Sequence, residues 1–292
     1  MSSVNQVFKF GVTALAALVL SACGGSGGGS GSSNNSVATP ANNQAQQNQP
    51  TTPANNQVQQ KQANTPTNNN VAQPSQQVNN NGTGATLVIS GDDHNASVRR
   101  SAINGYNTTN INVDGTNVTI GYPGISAGGW SKIKANGRDL QVCCGRYSDI
   151  RFGVSDSSND RDNTYLFYNG NPTNNMPTSG TASYVGQSII TADITTDIPA
   201  LDDEDYYTGT SQFNVDFGNK TLNGSLGINK IQPVNINASI SGNSFNGTAN
   251  SSSLPSAARV EGKFYGEQAK QLAGLAQAND NSWAAAFGAQ KQ

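Results

Sequence analysis

Apolar and polar residues alternate along the last part of this chain, and that alternation carries most of the structural reading. Phe213, Val215 and Phe217 fall on one face, with Asn214 and Asp216 on the other. Val234, Ile236, Ala238 and Ile240 repeat the pattern, as do Val260, Gly262 and Phe264, and then Trp283, Ala285 and Phe287. A period of two marks a strand with one buried face. Eight strands are predicted after Pro177, over 181–190, 209–217, 220–226, 232–240, 244–249, 257–264, 272–277 and 282–288. Gly218-Asn219 and Gly242-Asn243 supply tight turns, so neighbouring strands should pair antiparallel. Eight such strands on short links close into an up-and-down barrel, which removes the free edges of an open sheet. A barrel of this size is filled by side chains or holds one small ligand. Phe213, Phe217, Phe245, Phe264, Trp283 and Phe287 are the expected filling.

Upstream, over 85–175, the pattern is less regular. Runs at 86–90, 110–114, 117–122, 140–144, 150–154 and 164–168 read as strands separated by Gly-rich turns. The fold class expected is all-β: a β-rich handle domain over 85–175, followed by an eight-stranded antiparallel barrel over 176–292.

The first 84 residues hold a single apolar run, Val12 to Leu20. It is about half the roughly 20 residues needed to cross a bilayer. With Lys9 before it and small residues after it, 1–22 reads as an export signal. After Cys23, from Gly24 to Gly84, the chain is Gly, Ser, Asn, Gln, Thr, Pro and Ala with a handful of valines and one charge, Lys61. Too little apolar surface is present there to offset ordering entropy, so this stretch is expected to be a disordered tether. Its root-mean-square reach would be roughly 40 Å.

Charge narrows the function classes. All 18 acidic residues lie beyond residue 84, whereas two of the 16 basic ones, Lys9 and Lys61, precede it. A net acidic folded part argues against nucleic acid as partner, because that recognition calls for a basic face. One histidine, no nucleophile paired with a base and no phosphate loop also argue against an enzyme.

Leu20-Ser21-Ala22-Cys23 resembles the lipobox of bacterial lipoproteins. The resemblance implies that Cys23 is acylated and becomes the new N-terminus. Several acyl chains anchor stably where one binds marginally. Gly24 stands where an aspartate would signal inner-membrane retention, so the implied destination is the outer membrane. Further on, Met176-Pro177-Thr178-Ser179-Gly180-Thr181, Phe213-Asn214-Val215-Asp216-Phe217-Gly218-Asn219-Lys220, Glu261-Gly262-Lys263-Phe264-Tyr265-Gly266 and Ala286-Phe287-Gly288-Ala289 resemble, in order and spacing, the barrel of transferrin-binding protein B and its relatives. That family implies display at the cell surface through an outer-membrane lipoprotein translocator. Its implied partner is a host protein: transferrin, haemoglobin or a complement regulator. Arg151-Phe152-Gly153-Val154 and Tyr165-Leu166-Phe167-Tyr168-Asn169-Gly170 are similar to hemophilin-type members, which implies haem as a ligand of the handle and nutrient iron acquisition as the role.

Three constellations could carry chemistry. His94, with Arg99 or Arg100 nearby, offers an imidazole for haem iron and cations for propionates within one predicted loop; the alternative is a solvated polar loop. Tyr147 is the next candidate ligand. Cys143 and Cys144 are adjacent in an exported chain, and read either as a vicinal disulfide or as two small apolar residues on a strand. Asp202-Asp203-Glu204-Asp205, followed by Tyr206-Tyr207, lies in the long link between the first two barrel strands. It reads either as a solvated loop or as an acidic-aromatic contact for a basic host protein.

Overall fold

The computed structural model describes residues 82–91, 94–123, 128–158 and 163–292. Cys23, the export signal and nearly all of the tether lie outside the described residues. Among the described residues eight strands precede Pro177: β1 Gly84–Ser90, β2 Ser97–Ile103, β3 Asn110–Val113, β4 Thr116–Thr119, β5 Ser131–Ala135, β6 Arg138–Cys143, β7 Ile150–Ser157 and β8 Thr164–Gly170. Eight follow it: β9 Thr181–Thr191, β10 Tyr207–Asp216, β11 Thr221–Ile228, β12 Val234–Ser241, β13 Ser244–Asn250, β14 Ala258–Tyr265, β15 Gln271–Ala278 and β16 Ala284–Lys291.

The second set closes on itself in chain order, with β16 returning to β9 through a register that runs from Ala284↔Thr191 to Lys291↔Tyr184. Between β12 and β13 the turn is Gly242-Asn243; Gly242 has φ 58°, a conformation that a residue with a Cβ resists. All six expected aromatics are buried in the interior. Phe213 stacks near Phe287 at 5.2 Å between centroids and Phe245 meets Phe264 at 5.6 Å. Trp283 is fully buried, and its indole N–H donates to the Ser256 carbonyl at 2.9 Å. Glycine makes room for this filling: a Cβ at Gly262 would lie 2.1 Å from the Phe245 ring.

The outward face of β15, β16 and β9 is buried too. Ala273, Leu275, Ala284, Ala286 and Ile189 pack under the handle sheet against Ala85, Leu87, Phe152, Val154, Leu166 and Tyr168. Small outward residues let the two layers approach, which is why β15 and β16 are near-continuous Ala/Gly/Leu runs rather than strict alternations. The handle sheet runs β2-β1-β8-β7-β6-β5. Its second face, with Val88, Leu140, Val142, Tyr165 and Phe167, is covered by the β3–β4 hairpin through Ile111, Val113 and Val118. Polar groups tie the handle to the barrel: Arg100 Nε donates to Glu261 Oε2 at 2.6 Å, Asp149 N–H to Gln271 Oε1 at 3.0 Å, and the Tyr265 hydroxyl to the Thr83 carbonyl at 2.9 Å.

Two handle strands depart from the sequence expectation. Residues 97–103 were expected in a loop with His94 but form β2, and 131–135 were not expected as a strand but form β5. Both are edge strands with one wet side, so charged residues replace the apolar alternation that marks a buried strand. For β5 the usable signal is Asn136-Gly137, whose φ values of 52° and 72° are those of a type I′ hairpin turn.

Candidate functional site

The long link from β9 to β10 builds the most strongly charged concavity of the described residues. Its first half is pinned: Ile194 N–H donates to the Ser282 carbonyl at 3.3 Å, and Ile198 and Leu201 are buried in the barrel core. Ile198 N–H donates to the Asp193 carboxylate, whose pKa is nonetheless raised because burial outweighs that bond. Asp202, Asp203, Glu204 and Asp205 then emerge as exposed residues. Lys230 and the Tyr207 hydroxyl both bond Asp203 and hold its carboxyl below the ordinary range.

Tyr206 does not join this exposed rim. Its ring packs against the handle–barrel core and its hydroxyl donates to Asp156 Oδ2 at 2.9 Å. Burial, with the Asp156 charge added, pushes that hydroxyl far up. The expectation of an exposed acidic-aromatic loop is therefore corrected: the carboxylates are exposed, while the tyrosine fastens the loop to β7.

Opposite the link, the turn after β1 brings in His94, which adopts φ 65° and donates its backbone N–H to the Asp193 carbonyl at 3.1 Å. Its Nε2 lies 3.3 Å from Asp197. The result is a bay of about 770 Å³ whose described lining holds seven carboxylates (Asp156, Asp193, Asp197, Asp202, Asp203, Glu204 and Asp205) and His94, with no lysine or arginine among the described residues of its wall.

The four residues expected to hold haem are not brought together. Arg99 and Arg100 are neighbours on a strand and so point to opposite faces. Arg99 pairs with Asp114, and Arg100 pairs with Glu261 across the seam. Tyr147 is buried beside Phe152 and accepts a hydrogen bond from Arg146 at 3.1 Å. Burial, against the Arg146 contribution, raises its hydroxyl pKa, the wrong direction for a phenolate ligand. His94 alone faces a cavity, and that cavity would repel propionates. This set does not fit haem. Cys143 and Cys144 bring their sulfurs together at the end of β6, and Gln187 Oε1 of β9 approaches the two sulfurs at 2.9 and 3.1 Å.

A family model described as the C-lobe and N-lobe beta barrels of transferrin-binding protein B matches residues 176–291. An uncharacterized protein of Haemophilus influenzae is 43% identical over 296 residues, covering 97% of this chain and 98% of its own length. Residues 176–291 are therefore a barrel of the transferrin-binding protein B type, and over its whole length the chain is a relative of that uncharacterized protein. Among solved structures, a mutant transferrin-binding protein B of Haemophilus parasuis Hp5 is similar at 23% identity and TM-score 0.55, over 72% of this chain and 45% of that one. The isotype 1 protein of serogroup B Neisseria meningitidis is similar at 22% identity and TM-score 0.54, over 72% of this chain and 44% of its own length. The chain thus spans less than half the length of these solved proteins. At such identities the likeness is one of fold, and it reaches beyond the barrel into the handle.

Proposed function

We propose that this chain is a surface-displayed receptor for a host iron-carrying protein, with transferrin the first candidate. In this reading Cys23 is the acylated anchor, an outer-membrane lipoprotein translocator delivers the chain, and the residues from 23 to 84 hold the folded part away from the lipid. The observation that carries the proposal is the acidic bay with Asp202–Asp205 exposed at its rim, on a barrel of the transferrin-binding protein B type. A concave, single-sign field concentrates a basic partner and raises its association rate. It disfavours a small dianionic ligand such as haem for the same reason.

The test is a titration of intact cells displaying the chain with iron-loaded transferrin and with haemoglobin. Saturable binding of one is expected, weakened about tenfold by the quadruple change Asp202→Asn, Asp203→Asn, Glu204→Gln and Asp205→Asn, and weakened also by salt. A displayed chain that binds neither protein, yet gives a saturable Soret shift with haem, would replace this reading with haem capture.

A further inference from the structure

Strands β5, β6 and β7 turn one face of the handle sheet towards the link between β9 and β10, and an open cavity of about 380 Å³ lies between sheet and link. Pairing lays that face out in rows, because residues directly opposite across antiparallel strands share a side. Lys132 pairs with Gln141 and Gln141 with Val154, which makes one row; Lys134 pairs with Asp139 and Asp139 with Asp156, which makes the next. The rows are two residues apart on each strand, roughly 7 Å. From across the cavity the Tyr206 hydroxyl reaches Asp156 Oδ2 at 2.9 Å, so Glu204 and Asp205, just before it in the chain, join the wall beside the second row.

Each row holds one buried polar atom that meets no partner among the described residues, and the two are of opposite kind. In the first row it is Gln141 Nε2, a donor; in the second it is Asp139 Oδ1, an acceptor. Native structures seldom leave such atoms unpaired, because each forfeits its bonds to water. Asp139 already accepts from Lys134 through its other oxygen at 2.8 Å, whereas Lys132 makes no ion pair with the described residues. The first row therefore offers a donor and a cation, and the second an acceptor among carboxylates. We propose that this cavity binds a small zwitterion with an aliphatic body, a free amino acid or a dipeptide, its carboxylate at Lys132 and Gln141 and its ammonium at Asp139 with Glu204 and Asp205 alongside. The inference goes beyond the receptor reading and does not rest on it.

The mixed charge of the wall decides between the possible occupants. A simple anion at Lys132 and Gln141 would face the carboxylates of the second row, and a simple cation at Asp139 would face the lysines. No three His, Cys, Asp or Glu side chains among the described residues converge to hold a metal ion. A zwitterion satisfies both rows through charge-assisted hydrogen bonds, and the row spacing suits charges a few bonds apart. Val154 and the Tyr206 ring give its aliphatic body an apolar wall. The volume is more than ten times the roughly 30 Å³ of one water and falls within the roughly 300–1,000 Å³ of small-ligand sites.

The experiment titrates the full chain with L-leucine, with dileucine, and with two analogues that each lack one charge, 4-methylpentanoate and 3-methylbutylamine. Saturable binding of at least one zwitterion is expected, with a shift of the Gln141 side-chain amide resonance, and the tighter of the two identifies the ligand as free amino acid or peptide. Both analogues should bind at least tenfold more weakly. Lys132 is exposed, so Lys132→Gln leaves the fold intact and should weaken zwitterion binding at least tenfold; Gln141→Leu should do the same. No saturable binding of either zwitterion, an analogue that binds as well as its parent, or affinity unchanged in Lys132→Gln would overturn the proposal. Lys132 is not in the described lining of the acidic bay, so transferrin or haemoglobin binding should survive Lys132→Gln, and each reading can fail while the other stands.

Discussion

The barrel and the handle contain equal numbers of strands, yet they are held together by different kinds of contact. Each barrel strand pairs with its chain neighbour, and the one long-range pairing, β16 with β9, closes the ring. In the handle one pairing joins β1 to β8, from Gly84↔Asn169 to Ile89↔Thr164, across most of the domain's length. The barrel interior is one apolar core rich in aromatics, whereas the handle packs apolar residues on both faces of its sheet and adds bonds such as Asn169 Nδ2 to the Gly105 carbonyl at 3.0 Å and the seam contacts of Arg100 and Tyr265. Local pairing and a closed edge make a self-sufficient unit. A sheet assembled from distant segments needs a surface to assemble on, and here the outward face of β15, β16 and β9 is that surface.

The hardest way to break this contrast is to remove closure itself. A chain ending at Asp280 lacks β16 and Trp283, so β15 and β9 lose their common neighbour and the handle loses part of its platform. Both regions should lose cooperative unfolding in urea. A retained transition with an unchanged midpoint would show that closure is not what holds the barrel.

A smaller change should separate the two regions. Gly288 lies on the outward face of β16, and a Cβ there would sit 2.3 Å from the Phe152 ring and 2.9 Å from Ile150 Cδ1. Gly288→Ala therefore overpacks the seam and leaves the barrel interior alone, at a cost of about 1–3 kcal/mol. The chain's two tryptophans report on the two sides: Trp130 packs edge-on to Phe152 at 5.5 Å, and Trp283 is inside the barrel. In the variant the indole resonance of Trp130 should lose its folded position at a lower denaturant concentration than that of Trp283. Simultaneous loss would mean that handle and barrel unfold as one unit.

The same contrast explains what could be read from the sequence. Barrel strands with a core on one side and water on the other, such as Phe213–Phe217 and Val234–Ile240, show strict alternation, and the closed eight-stranded architecture follows from it. In the handle, β1, β7 and β8 are buried on both faces and were legible as apolar runs, but β2 and β5 were not, because an edge strand's wet side admits arginine and lysine. The site was harder still. Grouping His94, Arg99 and Arg100 by proximity in sequence ignored the alternation of a strand, which sends consecutive side chains to opposite faces. The exposed carboxylates at 202–205 were legible from their charge; the inward turn of Tyr206 was not, since its partner Asp156 is 50 residues away.

The smallest expected effect tests whether the β2 edge is held by charge. The Ser101 hydroxyl, which donates at 2.7 Å, and then the Arg99 guanidinium hold the Asp114 carboxyl below its ordinary range. A carboxyl with a depressed folded-state pKa contributes stability that is present above its unfolded pKa of about 3.9 and is lost as pH falls through the folded value. Because Asp114 is about half exposed, with a side-chain exposure of 52%, solvent screening limits the contribution to roughly 0.5 kcal/mol. Asp114 sits at φ 51°, a conformation that asparagine also tolerates, so Asp114→Asn removes the charge without straining the turn. Stability curves of wild type and variant should differ by about that amount at pH 7, and converge as the pH drops below the carboxylate range. A gap that persists undiminished into acid would assign the clasp to the hydrogen-bond geometry of the turn and not to its charge.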